Sequence, residues 1–592
     1  MILKELDKLY DRLKIDPDYR IARMGFSLQK ISFKVVLKPD GNLFAIQDMR
    51  ISRGKKMVPT QVMVPGGTKP PGQGINPCFL WDNTKYMLGF TQGDDLNRTL
   101  KSFAAFRERH SHSLAEIQSA DFAAVCSFLE GWDPAQAGDH PVLAEIGTGF
   151  GVFQIQGNSS YVHDDPVVLD WWENQPDPSP EFESFCLVTG KYLPIAKTHD
   201  KVKGVVGGQS TGGAIVSYNE KAYESYQLEQ SFNAPVGSLP AFRYVTALNA
   251  ILDGPMRDKH RMLIGDTTVA FWTDRPTIAE DVMALFLNFG SYAGNADAVQ
   301  DETLRRKLTA FLEFLRQGKA GTLGLENVEE DTGYNLLGLA PNAGRISVRF
   351  HHRGTLGQFL DHQRQHFRDI SICQDRSGPL DGDEFPSIRR LLDEVCPRVG
   401  GKPDRDRIPP VLIGPLMRSV IGGSRYPDGV YNAVLGRIRA DHLVNRVRAG
   451  IIKGYLIRNR GKEVSMSLDV NNPSVAYRLG RLFAVMEMTQ GDALGGGVNA
   501  TIRDRFYGAA SATPRTVFPR LLRTYQHHLA KLQPGYRVNR EKLVQEIVDP
   551  LIGFPGHFDL TDQGLFAIGY YHQTRAFYQK TEAKDSQERT DS

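Results

Sequence analysis

One run of ten residues limits the local structure of this chain more than any other segment. Five of the ten positions from Gly204 to Gly213 are glycine. Glycine weakens helices and strand interiors, so the run predicts a loop whose backbone turns sharply or approaches another group closely. We call residues 204–213 the glycine loop. It does not end in Gly-Lys-Ser/Thr, which excludes a phosphate-binding P-loop.

The tip of the glycine loop is polar but uncharged. Gln209, Ser210 and Thr211 provide hydrogen-bond donors and acceptors without a fixed charge. Such groups suit contacts with base edges or sugars better than catalysis. A hairpin tip without a ligand is the simpler interpretation of this segment taken alone.

A second loop, PGGTKPPGQGINP, spans residues 65–77 and is here called the proline loop. It contains too much proline and glycine for a helix or a sheet interior. Its polar residues therefore project from a semi-rigid frame; they are Thr68, Lys69, Gln73 and Asn76. A plain surface loop is the alternative interpretation.

The rest of the chain predicts an α+β fold. Apolar residues at helical spacing indicate an amphipathic helix at 1–14, and alternation with a Pro-Asp-Gly-Asn turn indicates a hairpin at 29–49. Helices and strands then alternate without a dinucleotide fingerprint, which favours a large mixed N-terminal α/β body with β-hairpins. A linker at 374–411 predicts a domain boundary, giving an N-terminal domain 1–410 and a C-terminal helical bundle 411–592 with a disordered tail at 581–592.

Positive charge is concentrated in the C-terminal third, although the net charge is only +3. Residues 418–460 contain nine Lys or Arg and two Asp or Glu, and residues 503–542 contain the same numbers. In the helix predicted around 519–532, Arg520, Arg523 and Lys531 lie opposite the apolar face. We predict a track for a phosphate backbone that consists of Arg503, Arg505, Arg515, Arg520, Arg523 and Lys531. A solvated surface of a helical bundle is the competing interpretation.

Signals for other chemistry are weak. Residues 142–151 fit the strand and glycine pattern of S-adenosylmethionine-dependent methyltransferases, in which a helix follows the glycines. The residues after Gly151 are typical of a strand instead. We therefore expect a β-meander and keep the methyltransferase as an alternative. His-Asp pairs at 163 and 199 lack the further ligands of a metal phosphohydrolase. The five cysteines form no CxxC pair. We therefore predict no catalytic residue, no metal and no cofactor.

The N-terminus carries both charge signs, and no apolar run reaches the roughly 18 residues that a membrane span requires. The sequence thus predicts a cytoplasmic protein.

Four long segments resemble one known family. They are GVVGGQSTGGAIVSYNEKAYESYQLEQSFNAP at 204–235, INPCFLWDNTKYMLG at 75–89, LLGLAPNAGRISVRF at 336–350 and the run from Phe483 to Leu532. They resemble the large subunit of the subtype I-C Cascade complex, the CRISPR-associated Csd family. Matches run from the N-terminus to about residue 580.

The resemblance implies a non-enzymatic subunit of an RNA-guided surveillance complex in antiviral defence. Such a subunit inspects the protospacer-adjacent motif in double-stranded DNA, promotes R-loop formation and holds the displaced strand. Its implied partners are the CRISPR RNA, the Cascade backbone subunits, the guide-handle-binding subunit, the small subunits and a recruited helicase-nuclease. Under this hypothesis the polar residues of the two loops contact the motif duplex, and the cationic track holds single strand.

A small subunit is made from the same gene by internal initiation in this family. Lys462-Glu463-Val464 can be encoded by a ribosome-binding sequence just ahead of Met466, so we predict that Met466 starts the separate chain. Two alternatives to the leading hypothesis stay open, the methyltransferase and a helical adaptor that binds protein.

Overall fold

The computed structural model describes residues 2–53, 56–67, 69, 74–93, 95–175, 181–276, 280, 283, 331–373, 386–495 and 500–590. The chain divides into two compact units. The first consists of Met1–Asp200 and Val216–Ala250, and the second of Lys201–Ile215 and Ile251–Ser592. The glycine loop therefore belongs to the second unit and the proline loop to the first.

The first unit is built on a five-stranded sheet. Its strands are β1 (Phe26–Leu37), β2 (Leu43–Asp48), β5 (Thr60–Pro65), β6 (Trp81–Asn83) and β7 (Phe150–Ile155). The long strand β1 pairs antiparallel with β5 through its first half and with β2 through its second half, and it pairs parallel with β7. The predicted N-terminal helix and the 29–49 hairpin are confirmed.

Two small hairpins and seven α-helices accompany the sheet in the described part of this unit. The hairpins pair β3 (Ile51–Arg53) with β4 (Lys56–Val58), and β8 (Glu183–Phe185) with β9 (Tyr192–Pro194). The helices are α1 (Ile2–Lys14), α2 (Thr84–Leu88), α3 (Leu96–Ser113), α4 (Ala120–Gly131), α5 (Pro141–Ile146), α6 (Pro166–Glu173) and α7 (Ser238–Asp253), in which the chain passes to the second unit. Aromatic residues of the helices and the sheet form the core, among them Phe33, Phe106 and Phe153.

The glycines at 147–151 serve strand packing. The predicted β-meander is wrong for 142–146, because these residues lie in helix α5. Gly147 has a φ of +65° and ends that helix, and strand β7 follows where a methyltransferase needs a helix. A Cβ at Gly149 would lie 2.6 Å from Ser32, and one at Gly151 would lie 2.3 Å from the Phe33 ring. These glycines let β7 approach β1, which removes the geometric basis of the methyltransferase alternative.

The second unit begins with an antiparallel meander. Its strands are β10 (Arg261–Ile264), β11 (Thr267–Thr273), β12 (Gly333–Asn342) and β13 (Arg345–Thr355), in that spatial order, after the short helix α8 (Arg257–His260). Strands β10 and β11 form one antiparallel hairpin, and β12 and β13 form another. A minor hairpin pairs β14 (Arg398–Val399) with β15 (Lys402–Pro403).

Most of the other described residues of the second unit lie in helices, and the helical character predicted for 411–592 is confirmed in its described part. They are α9 (Leu356–Ile370), α10 (Ile388–Asp393), α11 (Pro410–Gly422), α12 (Asp428–Asp441), α13 (Arg446–Arg460), α14 (Val475–Leu494), α15 (Ile502–Ala510), α16 (Pro514–Leu529), α17 (Pro534–Val548) and α18 (Leu560–Thr590). Sheets with a C-terminal helical region confirm the α+β class. A Cβ at Gly480 would lie 2.1 Å from Phe566 O, and one at Gly569 would lie 2.1 Å from Tyr477 O. These two glycines allow α14 and α18 to touch backbone to backbone.

One hydrophobic core runs through this unit from Met262 to Tyr571 and therefore crosses residue 410. The domain boundary at 410 stays a prediction about the organisation of the chain. The predicted disorder of 581–592 also stays a prediction, although helix α18 extends to Thr590. The side chains beyond residue 578 lie outside the described part of the structure.

Candidate nucleic-acid interface

The base of the glycine loop is fixed by backbone hydrogen bonds. Val202 and Gly213 bond to each other in both directions, at 2.9 and 3.0 Å. Ala214 donates to Gly344 O (3.2 Å) and accepts from Ile346 N (2.9 Å), which joins the loop to the β12–β13 hairpin. The loop thus leaves the body of the unit at a defined position.

Two side chains from neighbouring strands hold the first half of the loop. Arg261 Nη1 donates to Gly204 O (3.1 Å) and Leu252 O (3.0 Å), and Thr268 Oγ1 accepts from Val206 N (3.0 Å). Gly204 has a φ of +81°, and a Cβ there would lie 2.5 Å from Leu252 O. Only glycine fits this position.

The tip of the glycine loop is exposed and has free polar side chains. Gln209, Ser210 and Thr211 are all exposed, and their side chains form no hydrogen bond with any described residue. The turn itself is closed by Gly212 N, which donates to Gln209 O (2.9 Å). A small hollow beside the tip is lined by Gln209, Pro341, Ala343 and Arg345, among others. The fold therefore presents three polar side chains on a rigid frame.

Lys69 of the proline loop is partly buried against strand β6. Its Nζ lies 2.5 Å from Asp82 Oδ2 and 3.4 Å from the centroid of the Tyr86 ring, and it donates to Asn76 O (3.2 Å). The Asp82 side chain is fully buried. Burial raises the pKa of the Asp82 carboxyl, and the charge of Lys69 opposes that rise. Lys69 therefore fixes the loop to strand β6 and is not presented to solvent.

Further contacts hold the same loop. Arg109 donates to Pro77 O, Cys78 N donates to Asp82 Oδ2 (2.9 Å), and Asn76 N donates to the Tyr86 hydroxyl (3.2 Å). Burial raises the pKa of the Cys78 thiol to about 12, so this cysteine stays protonated. The side chain of Asn76 is exposed. The other two predicted residues of this loop, Thr68 and Gln73, lie outside the described residues.

Helices α15 and α16, with Lys531 just beyond the end of α16, carry an exposed row of positive charge. We call Arg505, Arg515, Arg520, Arg523 and Lys531 the outer cations. All five are exposed, and none forms an ion pair with a described residue. The opposite face of α16 is buried through Phe518, Leu521 and Tyr525, as the sequence predicted.

Two local contacts orient the row. Arg515 Nε donates to Phe554 O (3.3 Å), and the Arg520 guanidinium lies 5.4 Å from the centroid of the Phe506 ring. The pKa of His528 is lowered by partial burial and then by the charges of Lys531 and His527, which reflects the positive potential on this side of the unit. Arg520 and Arg523 lie about one helical turn apart, roughly 5 Å along the axis.

Other basic residues of the same unit form ion pairs or hydrogen bonds within the protein. Arg503, predicted to lie in the track, pairs with Glu487 (3.4 Å) and is half-buried. We call Arg448, Lys453 and Arg458 the inner cations. Arg448 is fully buried and bonds Glu394 (2.7 Å) and Asp441 (2.5 Å). Lys453 donates to Ser371 O (2.7 Å), and Arg458 pairs with Asp369 (2.5 Å).

The sequence interpretation missed the residues that hold the loops in place. Asp82 is the buried partner of Lys69, and Arg261 and Thr268 position the glycine loop. Asp82 could have been found, because a carboxylate inside the apolar run CFLWDN requires a cationic or hydrogen-bonding partner. Arg261 gives no such signal, since its acceptors are backbone carbonyls.

Among the described residues, no three His, Cys, Asp or Glu side chains form a group that could hold a metal ion. None of the described helices is long and apolar enough to cross a membrane.

Comparison with known proteins gives one family. The sequence model of the family described as CRISPR-associated protein (Cas_Csd1) matches residues 6–578. A comparison with curated proteins gives no match. The family match covers nearly the whole chain and both units.

Proposed function

Since the chain belongs to the Cas_Csd1 family of CRISPR-associated proteins and is a Cascade subunit, we propose that it is the non-catalytic large subunit of a subtype I-C complex. In this role it works in the cytoplasm, in antiviral defence. It recognises the protospacer-adjacent motif in target DNA, while pairing with the CRISPR RNA supplies the remaining specificity.

The observation that carries the proposal is the tip of the glycine loop. Gln209, Ser210 and Thr211 are exposed, and their side chains have no partner among the described residues, on a frame fixed by Arg261 and Thr268. Uncharged donors and acceptors on a rigid loop can read base edges in a groove without a large loss of conformational entropy. We propose that Gln209 enters the duplex at the motif and that Ser210 and Thr211 contact the adjacent edges or backbone.

The proline loop is proposed as a second contact with the duplex. Of the polar residues predicted in this loop, Asn76 is described and exposed, and we propose that it reaches the DNA. Thr68 and Gln73 are further predicted contacts. Lys69 acts on this loop by holding its shape, because its ammonium group is bound to buried Asp82. Removing Lys69 would leave that carboxylate unpaired, so its substitution is a poor test of DNA contact.

The outer cations are proposed to bind the displaced strand and to promote R-loop formation. Their charges are exposed and unpaired by described residues, so they are available to phosphates. Binding of this kind releases counterions and weakens steeply with salt, which a protein-binding adaptor would not show to the same degree.

The family match supports a proposal about the complex that this chain joins. We propose that the chain joins the CRISPR RNA, the backbone subunits, the guide-handle-binding subunit and the small subunits, and that it recruits the helicase-nuclease after target binding.

Met466 is proposed to start a separate small subunit. It lies between α13 and α14 and is 57% exposed. Helices α14, α15 and α18 share an aromatic cluster of Phe483, Tyr507, Phe566 and Tyr570. Intact-mass measurement of the purified complex tests this start directly.

The motif role is tested by Gln209→Ala in the assembled complex. We expect the preference for a duplex with the motif over one without it to fall about tenfold, because a good base contact contributes about 1–3 kcal/mol. Gln156→Ala is the matched control, since Gln156 is an exposed glutamine elsewhere in the chain. Equal motif preference for the two variants, with assembly intact in both, would overturn the assignment of the tip.

A further inference from the structure

One turn of the first unit combines an unfavourable backbone with an almost fully exposed aromatic ring. Ser225 and Leu228 form an antiparallel bridge, closed by Leu228 N donating to Ser225 O (2.9 Å). Between them, Tyr226 and Gln227 have φ values of +52° and +63°. Turns with two positive φ values favour asparagine and glycine. Tyr226 is nevertheless 95% exposed at this position.

The side chain of Asn233 bonds the backbone on both sides of the turn. Asn233 Oδ1 accepts from Ser225 N (2.7 Å), and its Nδ2 donates to Leu228 O (2.6 Å) and Gln230 O (3.0 Å). Gln230 also has a positive φ, of +46°. The conformation is therefore imposed by the surrounding contacts and not by the preference of Tyr226.

The ring of Tyr226 does nothing for the fold. Its side chain forms no hydrogen bond or ring contact with the described residues, and it buries almost no surface. Backbone strain of this kind persists where surrounding structure maintains it, and it concentrates at functional sites. An exposed tyrosine on a rigid turn has the properties of a binding anchor, because tyrosine adds large contact area with few torsions to fix.

The charge around the turn indicates the class of partner. From Ser217 to Phe232 the chain has three glutamates and one lysine. Of the glutamates, Glu229 pairs with Lys197 (3.8 Å), and Glu224 accepts from Gln230 N (3.3 Å). A net negative surface repels a phosphate backbone and attracts a positively charged protein surface.

We infer that Tyr226 anchors a protein–protein contact by inserting its ring into an apolar pocket with a basic rim on another protein subunit of the complex. The inference rests on the proposed assembly and is independent of the DNA contacts assigned to the glycine loop. Gln227 lies beside the anchor and supplies a polar contact at the edge of the pocket.

Three variants of the full chain separate the ring from the backbone. Tyr226→Gly and Tyr226→Asn remove the ring and suit a positive φ, whereas Tyr226→Ala removes the ring and keeps the strain. Each is co-expressed with the CRISPR RNA and the other subunits. We expect all three to weaken retention in the complex by about tenfold. The Tm should stay equal to that of the parent in Tyr226→Ala, and stay equal or rise in Tyr226→Gly and Tyr226→Asn.

Tyr536→Ala is the control, because Tyr536 is an exposed tyrosine on helix α17. It should assemble like the parent. Parent-like assembly of Tyr226→Gly would overturn the inference, and so would variants that keep the protein subunits but lose CRISPR RNA or single-stranded DNA. A parent chain that fails to join the complex would overturn the proposed function together with the inference.

Discussion

The inner and outer cations come from the same unit and from similar helices, yet their surroundings differ completely. Arg448 is buried between Glu394 and Asp441, and Arg458 pairs with Asp369. Arg520 and Arg523, on α16, are exposed and have no carboxylate partner among the described residues. Each group comes from a stretch with nine basic and two acidic residues. Charge density along a sequence therefore does not reveal which cations are available to a ligand.

The difference follows from where the carboxylates lie in space. Glu394 is 54 residues from Arg448, and Asp369 is 89 residues from Arg458. Glu394 also accepts from Arg390 and Arg398, and these three arginines lower the pKa of its carboxyl against the effect of burial. The inner cations stabilise the packing of helices. The outer cations contribute little to that packing and are exposed to solvent.

Arg448→Met should produce the largest change in stability. It removes a cation that bonds both Glu394 and Asp441 while keeping most of the volume, and the other arginines around these carboxylates compensate the loss only in part. We expect the free energy of unfolding of the second unit to fall by about 3 kcal/mol, as measured by chemical denaturation. Arg523→Gln is the matched control and should change it by less than about 0.5 kcal/mol. A similar loss of unfolding free energy in both variants would mean that the inner and outer cations contribute equally to stability.

The pH dependence of stability gives a smaller effect in the inner region. Burial, and then the charge of Arg458, lowers the pKa of His366 to about 3, and its Nδ1 lies 2.5 Å from the Tyr426 hydroxyl. The folded state thus keeps His366 neutral, while the unfolded chain binds a proton below about pH 6.5. Stability from this group is present above pH 6.5 and is lost as pH falls towards 3.

His366→Phe should therefore reduce the slope of unfolding free energy against pH, between pH 6 and 4, by up to about 1.4 kcal/mol per pH unit. Denaturation at a series of pH values measures this slope. Gln526→Ala, at an exposed position of α16, removes no titratable group and should leave the slope unchanged. An unaltered slope for His366→Phe would show that this histidine is protonated in the folded protein.

Much of the fold could be predicted because its signals are local. Alternating residues and a Pro-Asp-Gly-Asn turn give β1 and β2, and the apolar spacing around Phe518 and Tyr525 gives the buried face of α16. Residues 142–146 were mispredicted because the short run VLAEI is compatible with a strand or a helix. Their structure depends on Pro141 at the first turn of α5 and on Gly147 at its end.

The candidate site was predictable only in part. Glycine spacing located the glycine loop and its exposed tip, because five glycines permit little else. Lys69 was expected to face DNA, but its partner Asp82 follows 13 residues later and reaches it only through the fold. The turn at Tyr226 has no sequence signal, since Ser-Tyr-Gln-Leu does not predict positive φ values.

The salt dependence of single-stranded DNA binding tests the central claim most directly. The assembled complex is compared with one that carries Arg520→Gln, Arg523→Gln and Lys531→Gln together, with Arg537→Gln as a control for a cation paired with Glu541. Each phosphate contact contributes about 0.7 to the slope of log K against log salt. We predict that the triple variant reduces the steepness of this slope by about 2 and leaves the Tm unchanged. The control variant should keep the parental slope. A triple variant with the parental slope would contradict the account.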